Sequence, residues 1–357
     1  MKLYPLVLTV LLSTAPAVFA QVTLPYTTDF EGPLSSDWAT TDTSIVTASD
    51  ASQSGTKSVR IPSATPENFL SLDFNPSGNS ILFADYYMQF TPSALPTLPL
   101  LTSPETSALL TVQPYGTGFA KWAFLNGNGA GNGAWETTGT ILGLENTGRT
   151  SWQHITVRMD LQSNTWDVYI GGVMVAADLG FVEALVSGSE AINLFGAAAG
   201  TNYLDNFGLT VDNPLFTDAD LDGIEDAFEN TNGLDSSVND RDLDADSDGL
   251  TNIFEYAAGL LPNLKDTDGD GLEDGWEVNQ GYSANSNQGL TGAFGDLEGD
   301  HLANQTETNV GSSSSTVDTT ATLVGTSTKT GGNLAITLIG HGTFTIDETA
   351  TTSLLSN

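Results

Sequence analysis

The chain has 357 residues, a formal net charge of −35 and no cysteine. An acidic excess of this size repels phosphate backbones and anionic lipid surfaces, which argues against nucleic acids and anionic membranes as partners. The lack of cysteine excludes disulfides, zinc–thiolate sites and a thiol nucleophile. The length is sufficient for two or three domains, one of them with a substantial core.

Residues 1–20 have the pattern of a secretory signal peptide. Lys2 precedes an apolar run through Leu12, and Val18 and Ala20 place small residues three and one positions before a cleavage site. We therefore expect a secreted or cell-surface protein whose mature chain begins at Gln21. No later segment approaches the roughly 18 apolar residues of a transmembrane helix, so no membrane span is expected.

Short apolar and β-branched runs, separated by Gly, Asn, Ser and Pro, fill residues 21–212. Ile155, Val157 and Met159 alternate with polar residues and predict one buried strand face. Gly171 and Gly172 are typical of a two-residue hairpin turn. Many such runs with few helical windows predict a mainly β domain, an antiparallel β-sandwich.

Several segments of this region resemble a concanavalin-like (laminin G-like) jelly roll. The resemblance implies a β-sandwich and is compatible with extracellular recognition of a glycan, but it defines architecture more closely than function. The segments similar to its early strands are Asp29–Gly32, Trp38 and Ser54–Val59, and those similar to its later strands are Trp152–Asp160, Thr165–Gly172 and Tyr203–Leu209.

One acidic pattern occurs four times between Asp218 and Glu307. Each copy places acids at positions 1, 3, 5 and 12, as a twelve-residue calcium loop requires, and the first three place glycine at position 6. Ca²⁺ takes six to eight oxygens, with position 7 contributing a backbone carbonyl. The predicted ligands are Asp218, Asp220, Asp222, Ile224, Asp226 and Glu229 in loop one; Asp244, Asp246, Asp248, Leu250, Asn252 and Glu255 in loop two; Asp266, Asp268, Asp270, Leu272, Asp274 and Glu277 in loop three; and Asp296, Glu298, Asp300 and Glu307 in loop four.

The apolar residue at position 7 of every copy makes residues 213–310 resemble thrombospondin type 3 repeats of secreted bacterial proteins. The resemblance implies a calcium-stiffened segment with short helices. Positions 7 and 11 lie four residues apart, so we expect the pairs Ile224/Phe228, Leu250/Phe254 and Leu272/Trp276 each to share a helix face. The alternative, a disordered acidic segment, does not require glycine after the third acid.

Loop four lacks the glycine at position 6, and the tail that follows it lacks the acidic pattern. His301 replaces the glycine at position 6, so this loop is predicted to bind calcium most weakly. Residues 311–357 are Ser/Thr-rich and predict a linker with a partial β unit, a hairpin of Ala335–Ile339 and Thr343–Ile346.

Catalysis has little support in the sequence. The paired glutamates of concanavalin-like glucanases, spaced as ExDxE, do not occur in residues 21–212. His154 is interpreted as a surface histidine, and the glycine-rich residues 126–133 as a hairpin loop or as the rim of a sugar site between Trp122 and Trp135. Glu31 and Asp205 are considered as a further calcium pair.

The sequence therefore predicts a mainly β protein, with an antiparallel jelly-roll sandwich followed by calcium-loop repeats. We interpret it as a secreted, calcium-binding, non-enzymatic recognition or adhesion protein, with extracellular polysaccharide or cell-surface glycan as the ligand class considered. A polysaccharide hydrolase with an unfamiliar site is the alternative. A third interpretation makes the repeats a spacer for an active portion beyond Asn357.

Overall fold

The computed structural model describes residues 10–13, 21–40, 43–62, 69–92, 109–130, 132–182, 190–195, 200–287, 328–330 and 333–335. The chain divides into two compact units. The first comprises Met1–Thr231 with Asp235–Arg241, and the second comprises Asn232–Leu234 with Asp242–Asn357. The first unit thus extends beyond Asp212, where the sequence predicts the sandwich to end, and includes loop one.

The first unit is an antiparallel β-sandwich of the jelly-roll type, as predicted. Its strands are β1 (Val10–Ser13), β2 (Tyr26–Thr28), β3 (Trp38–Thr40), β4 (Val46–Ala48), β5 (Ser58–Pro62), β6 (Phe69–Phe74), β7 (Ile81–Gln89), β8 (Leu109–Pro114), β9 (Phe119–Gly127), β10 (Gly133–Gly143), β11 (Gln153–Asp160), β12 (Thr165–Ile170), β13 (Val173–Gly180), β14 (Glu190–Phe195) and β15 (Thr201–Thr210).

Three sheets make up the sandwich. The large sheet has the order β13-β12-β11-β7-β15-β5-β4, with β2 also paired to β15. The two smaller sheets have the orders β1-β14-β6-β3 and β10-β9-β8. Strand β1 lies at an edge and within the predicted signal peptide, so its removal on secretion would leave the pairing of β14 with β6 intact.

The core contains the inward-facing residues of all three sheets, among them Leu72, Tyr86 and Trp122. Ile155, Val157 and Met159 are buried in it, which confirms the predicted strand face. The opposite face of the same strand, β11, carries His154, Thr156 and Arg158. This alternation places polar side chains on the outer face of the large sheet.

The structure confirms the predicted turn at Gly171 and Gly172 and the hairpin loop between β9 and β10. Gly171 and Gly172 have φ values of 62° and 84° and join β12 to β13, as a two-residue hairpin requires. Residues 128–132 join β9 to β10, so the glycine-rich segment is a hairpin loop. Trp122 beside it is buried in the core, with 1% of its surface exposed, and cannot stack on a sugar.

The second unit contains two of three short helices, each of which follows an acidic loop. They are α1 (Asp226–Asn232), which follows loop one, α2 (Asn252–Ala258) and α3 (Asp274–Gln280). Two short strands, β16 (Thr328–Thr330) and β17 (Asn333–Ala335), form an antiparallel pair. Loop four and the hairpin predicted after Ala335 lie outside the described residues. None of the helices within the described ranges is long and apolar enough to cross a membrane.

Strands β9 and β13 approach each other closely at Gly180. A Cβ added to Gly180 would lie 2.2 Å from the carbonyl oxygen of Gly127, whereas one added to Gly139 would meet nothing within 4 Å. We expect Gly180→Ala to lower the free energy of unfolding by about 1–3 kcal/mol, because overpacking forces the strands apart. Gly139→Ala is the matched control and should change it by less than about 0.5 kcal/mol in urea denaturation. Equal effects of the two substitutions would contradict the close approach.

Candidate metal centres

The three described acidic loops share one backbone shape. Glycine at position 6 has φ values of 95°, 102° and 95° at Gly223, Gly249 and Gly271, which confirms the predicted left-handed turn. The carboxylate at position 1 accepts the N–H of this glycine in every loop, for example Gly271 N to Asp266 Oδ2 at 2.8 Å. Position 4 is also left-handed, even at Leu221 and Ser247, which the sequence pattern did not indicate.

The residue at position 9 closes each loop on itself. Asp226, Asn252 and Asp274 accept the backbone N–H of position 2 at 2.9, 3.2 and 2.9 Å. The same residue begins the following helix. One side-chain oxygen at position 9 is therefore bonded to the loop backbone, so Asn252, whose amide has one oxygen, offers less to an ion than predicted.

The acids at positions 1, 3 and 5 converge in all three loops. In each loop one oxygen from each residue lies within 4.8 Å of the others. A second group in loop one contains Asp222, Glu229 and Asp240, and a second group in loop two contains Asp248, Glu255 and Asp274. Asp240 is a candidate that sequence reasoning missed, because it lies outside the repeat, and Asp274 of loop three joins loop two.

The glutamate at position 12 gives the strongest indication of a cation. Glu229, Glu255 and Glu277 are completely buried, and neither carboxylate oxygen of any of them has a hydrogen-bond partner in the described structure. Burial, followed by the neighbouring aspartates, raises the pKa of each of these glutamates to about 8. A buried carboxylate without a partner is costly, and a bound cation would remove that cost.

The donor set is suited to a hard divalent cation. All candidate side-chain donors in the described loops are carboxylate or amide oxygens, which Ca²⁺ and Mg²⁺ prefer. The sulfur and imidazole donors that favour zinc or copper are not part of any described group. The residues present therefore fit a calcium ion.

The apolar residue at position 7 does not lie on the helix as predicted. Each helix begins at position 9, so Ile224, Leu250 and Leu272 precede it. Phe254 is 42% exposed and is not part of the apolar cluster around Leu250. Leu250 instead packs with Leu260 and Ala284. Leu272 does pack with Trp276, as predicted, together with Tyr282.

A buried charge cluster fixes loop one within the first unit. Asp167 on β12 is fully buried, and its carboxylate binds Arg158 Nη1 at 3.0 Å and two nitrogens of Arg241 at 2.9 Å each. Burial acts to raise the pKa of Asp167, but the guanidinium of Arg241, with that of Arg158, outweighs it and lowers the pKa below the ordinary value. Two buried cations thus share one buried carboxylate.

The same cluster binds three successive carbonyl oxygens of loop one. Arg158 Nε donates to Leu221 O at 2.8 Å, Arg241 Nη1 donates to Asp222 O, and Tyr169 Oη donates to Gly223 O at 2.5 Å. The backbone at positions 4 to 6, where the loop turns, is therefore bonded to two strand side chains and to Arg241. This explains why loop one belongs to the compact unit of the sandwich.

Glu31 and Asp205 are engaged with backbone amides. Glu31 Oε1 accepts the N–H groups of Thr56 and Lys57 at 2.8 and 2.9 Å, and Asp205 Oδ2 accepts that of Gln53 at 2.8 Å. Both carboxylates anchor the segment 53–57. This arrangement gives no support to the calcium pair considered from the sequence.

The charge cluster predicts a large effect for Arg241→Ala. The substitution leaves Asp167 buried with one cation, and we expect the free energy of unfolding of the first unit to fall by about 3–5 kcal/mol. Arg60→Ala is the matched control, since Arg60 is 40% exposed at its side chain and lies 3.8 Å from Asp50. Arg60→Ala should lower the free energy of unfolding by no more than about 1 kcal/mol. Urea denaturation of both variants measures the two losses. Similar losses for both variants would show that the cluster is not a buried network.

The raised glutamate pKa values predict the pH dependence of the metal-free protein. A carboxyl whose folded pKa is about 8 and whose ordinary value is 4.5 binds its proton more tightly in the folded state. The contribution of each such glutamate to stability is therefore fully present below pH 4.5 and is lost as the pH rises through about 8. Urea denaturation in chelator, followed by Trp276 fluorescence with Trp276→Phe as the blank, measures this. Constant or rising stability over that range would contradict the burial of these carboxyls.

Comparisons with known proteins add little beyond the fold. No protein-family model and no characterised protein sequence matches the chain. A sialidase structure is 11% identical with a TM-score of 0.34, and the match covers 58% of this chain but 20% of the sialidase. The CBM22-1 xylan-binding domain of Xyn10C from Paenibacillus barcinonensis is 12% identical, with a TM-score of 0.25, over 54% of this chain and 96% of that one.

A third match is a carbohydrate esterase from the Shiga toxin-encoding bacteriophage phi24B. It is 11% identical, with a TM-score of 0.32, and the match covers 49% of this chain and 89% of the esterase. The chain thus spans about a fifth of the sialidase and most of the other two. At these TM-scores the likenesses carry no argument about ligand or activity.

Proposed function

We propose that the chain is a secreted calcium-binding recognition protein that is not an enzyme. The observation that carries the calcium proposal is the set of buried position-12 glutamates, Glu229, Glu255 and Glu277, whose oxygens have no protein partner. Each lies beside aspartates that raise its pKa further. Ca²⁺ bound by these oxygens would neutralise the carboxylates that folding brings together.

On this proposal calcium acts mainly on stability. The described part of the second unit has small apolar clusters, such as Leu250 with Leu260 and Ala284, in place of a large core. A ligand that binds only the folded state stabilises it by about 2.7 kcal/mol at a hundred times its Kd. Calcium at extracellular concentrations would therefore supply much of the stability of these loops.

Glu277→Gln provides the direct test in loop three. The substitution keeps the shape of the buried side chain but removes its charge, so we expect one calcium-binding step to weaken at least about tenfold, or about 1.4 kcal/mol. Glu273→Gln is the matched control, because Glu273 is exposed, four residues away on the same loop. Isothermal titration of chelator-treated full chain with Ca²⁺ and with Mg²⁺ measures both. No binding of either ion by the unmodified chain, or equal weakening by both variants, would refute the calcium proposal.

The sandwich is the proposed recognition module, with an extracellular polysaccharide or cell-surface glycan as its ligand. The alternative, a polysaccharide hydrolase, is favoured by one observation. His154 Nε2 lies 2.8 Å from Asp85 Oδ1, although the sequence suggested no acidic partner for this histidine. Release of reducing sugar from a bound polysaccharide, abolished by His154→Ala, would establish the hydrolase in place of the binding protein.

A further inference from the structure

A groove of about 550 Å³ lies on the outer face of the large sheet. Asp85 lines it and projects away from the core, since Ala84 and Tyr86, its neighbours on β7, are both core residues. The opposite wall comes from β2 and the residue after it, Thr27, Thr28 and Asp29. The groove therefore runs between two strands that flank β15.

The floor of the groove is produced by a bulge in β15. Asp205 pairs with Tyr87 and Gly208 pairs with Asp85, so three steps along β15 match two along β7. Asn206 within the bulge has a φ of 47° and also lines the groove. Gly208 lies opposite Asp85 without a side chain, so backbone forms the floor. Bulges and strand glycines of this kind often mark the approach of a ligand.

Asp85 is held in place by the neighbouring strand. His154 Nε2 lies 2.8 Å from Asp85 Oδ1, and Thr156 Oγ1 donates to the same oxygen at 2.5 Å. The ring of Tyr87 stacks on His154 with centroids 4.4 Å apart. The contacts of His154 and Thr156 both involve Oδ1 of Asp85, so Oδ2 can still accept hydrogen bonds from a ligand.

The chemistry of the lining selects the class of ligand. The carboxylates of Asp85 and Asp29 and the hydroxyls of Thr27 and Thr28 offer mainly acceptors. The amide of Asn206 is already bonded to Gln53 and Ser54. Two carboxylates, in a chain of net charge −35, repel uronates, sulfated sugars and phosphates. A ligand with many neutral hydroxyl donors fits this lining.

We propose that this groove binds a neutral glycan, whose hydroxyls donate to Asp85 and Asp29 over the floor at Gly208. The inference rests on the proposed recognition function of the sandwich and assigns glycan binding to this groove. It excludes acidic polysaccharides as ligands, which the fold alone does not.

Gly208→Val fills the groove without disturbing the sheet. A Cβ at Gly208 would lie 3.7 Å from Thr27 Cγ2 and 3.8 Å from Asp85 O, which are ordinary contact distances. Valine suits a strand, so the variant should fold. Gly139→Val is the matched control, since a Cβ there meets nothing within 4 Å and the residue lies on β10, outside the large sheet. Asp85→Asn removes a charge while keeping the shape, and thermal melts verify that all three variants fold.

Native affinity electrophoresis of the full chain tests the proposal. Gels contain either a neutral polysaccharide (arabinoxylan, mixed-linkage glucan or mannan) or an acidic one (polygalacturonate or alginate). We expect at least one neutral polysaccharide to retard the unmodified chain and Gly139→Val equally. Gly208→Val and Asp85→Asn should weaken that binding by about tenfold or more.

Each other outcome has a distinct meaning. If a neutral polysaccharide retards the chain and folded Gly208→Val equally, the groove is the wrong place, while glycan recognition by the sandwich stands. If only acidic polysaccharides retard it, the ligand class is wrong. If none does, both the groove and the glycan part of the proposed function are overturned, and the calcium part, tested by titration, is not.

Discussion

The buried carboxylate of Asp167 is the constraint on which the arrangement of the first unit depends. It is shared by Arg158 from the sandwich and Arg241 from beyond the first helix, residues separated by 83 positions of the chain (241 − 158). Removing Arg241 would leave the buried carboxylate of Asp167 with Arg158 alone, and removing Asp167 would take the shared partner from both guanidinium groups. The chain after Asp212 is therefore tied to the sandwich, and the compact unit ends near Arg241 instead.

Loop two has a much weaker cationic partner than loop one. Lys265 Nζ donates to the carbonyl oxygen of Ser247, and this side chain is 42% exposed. Between Asp218 and Glu307, Arg241 and Lys265 are the only arginine and lysine residues. One exposed lysine thus faces the many carboxylates around Glu255 and Glu277, and the pKa of both glutamates is still raised to about 8. On the proposed calcium binding, the ion would supply positive charge to these carboxylates, which otherwise keep their protons up to a pH of about 8.

Local features could be predicted from the sequence. The loop acids, the left-handed turn at Gly223 and the hairpin at Gly171 each follow from a few adjacent residues. Long-range features could not. Asp240 joins Glu229 only through the path of the chain after α1, and the bond between His154 and Asp85 depends on the register of β11 against β7. The bulge at Asn206 changes the register of β15 against β7 without a sequence signal, so the groove could not be anticipated.

Bonding of the loop-one carbonyls to Arg158, Arg241 and Tyr169 has a consequence for how the loops respond to a falling ion concentration. A loop already held in its final shape loses little conformational entropy when it binds an ion. A loop that the ion must order loses more, so its net affinity for the ion is lower. On the proposed calcium binding, dilution would empty the second unit first. The loops of the second unit would then loosen while loop one kept its ion, so ambient calcium would set the order of the second unit without changing the fold of the sandwich.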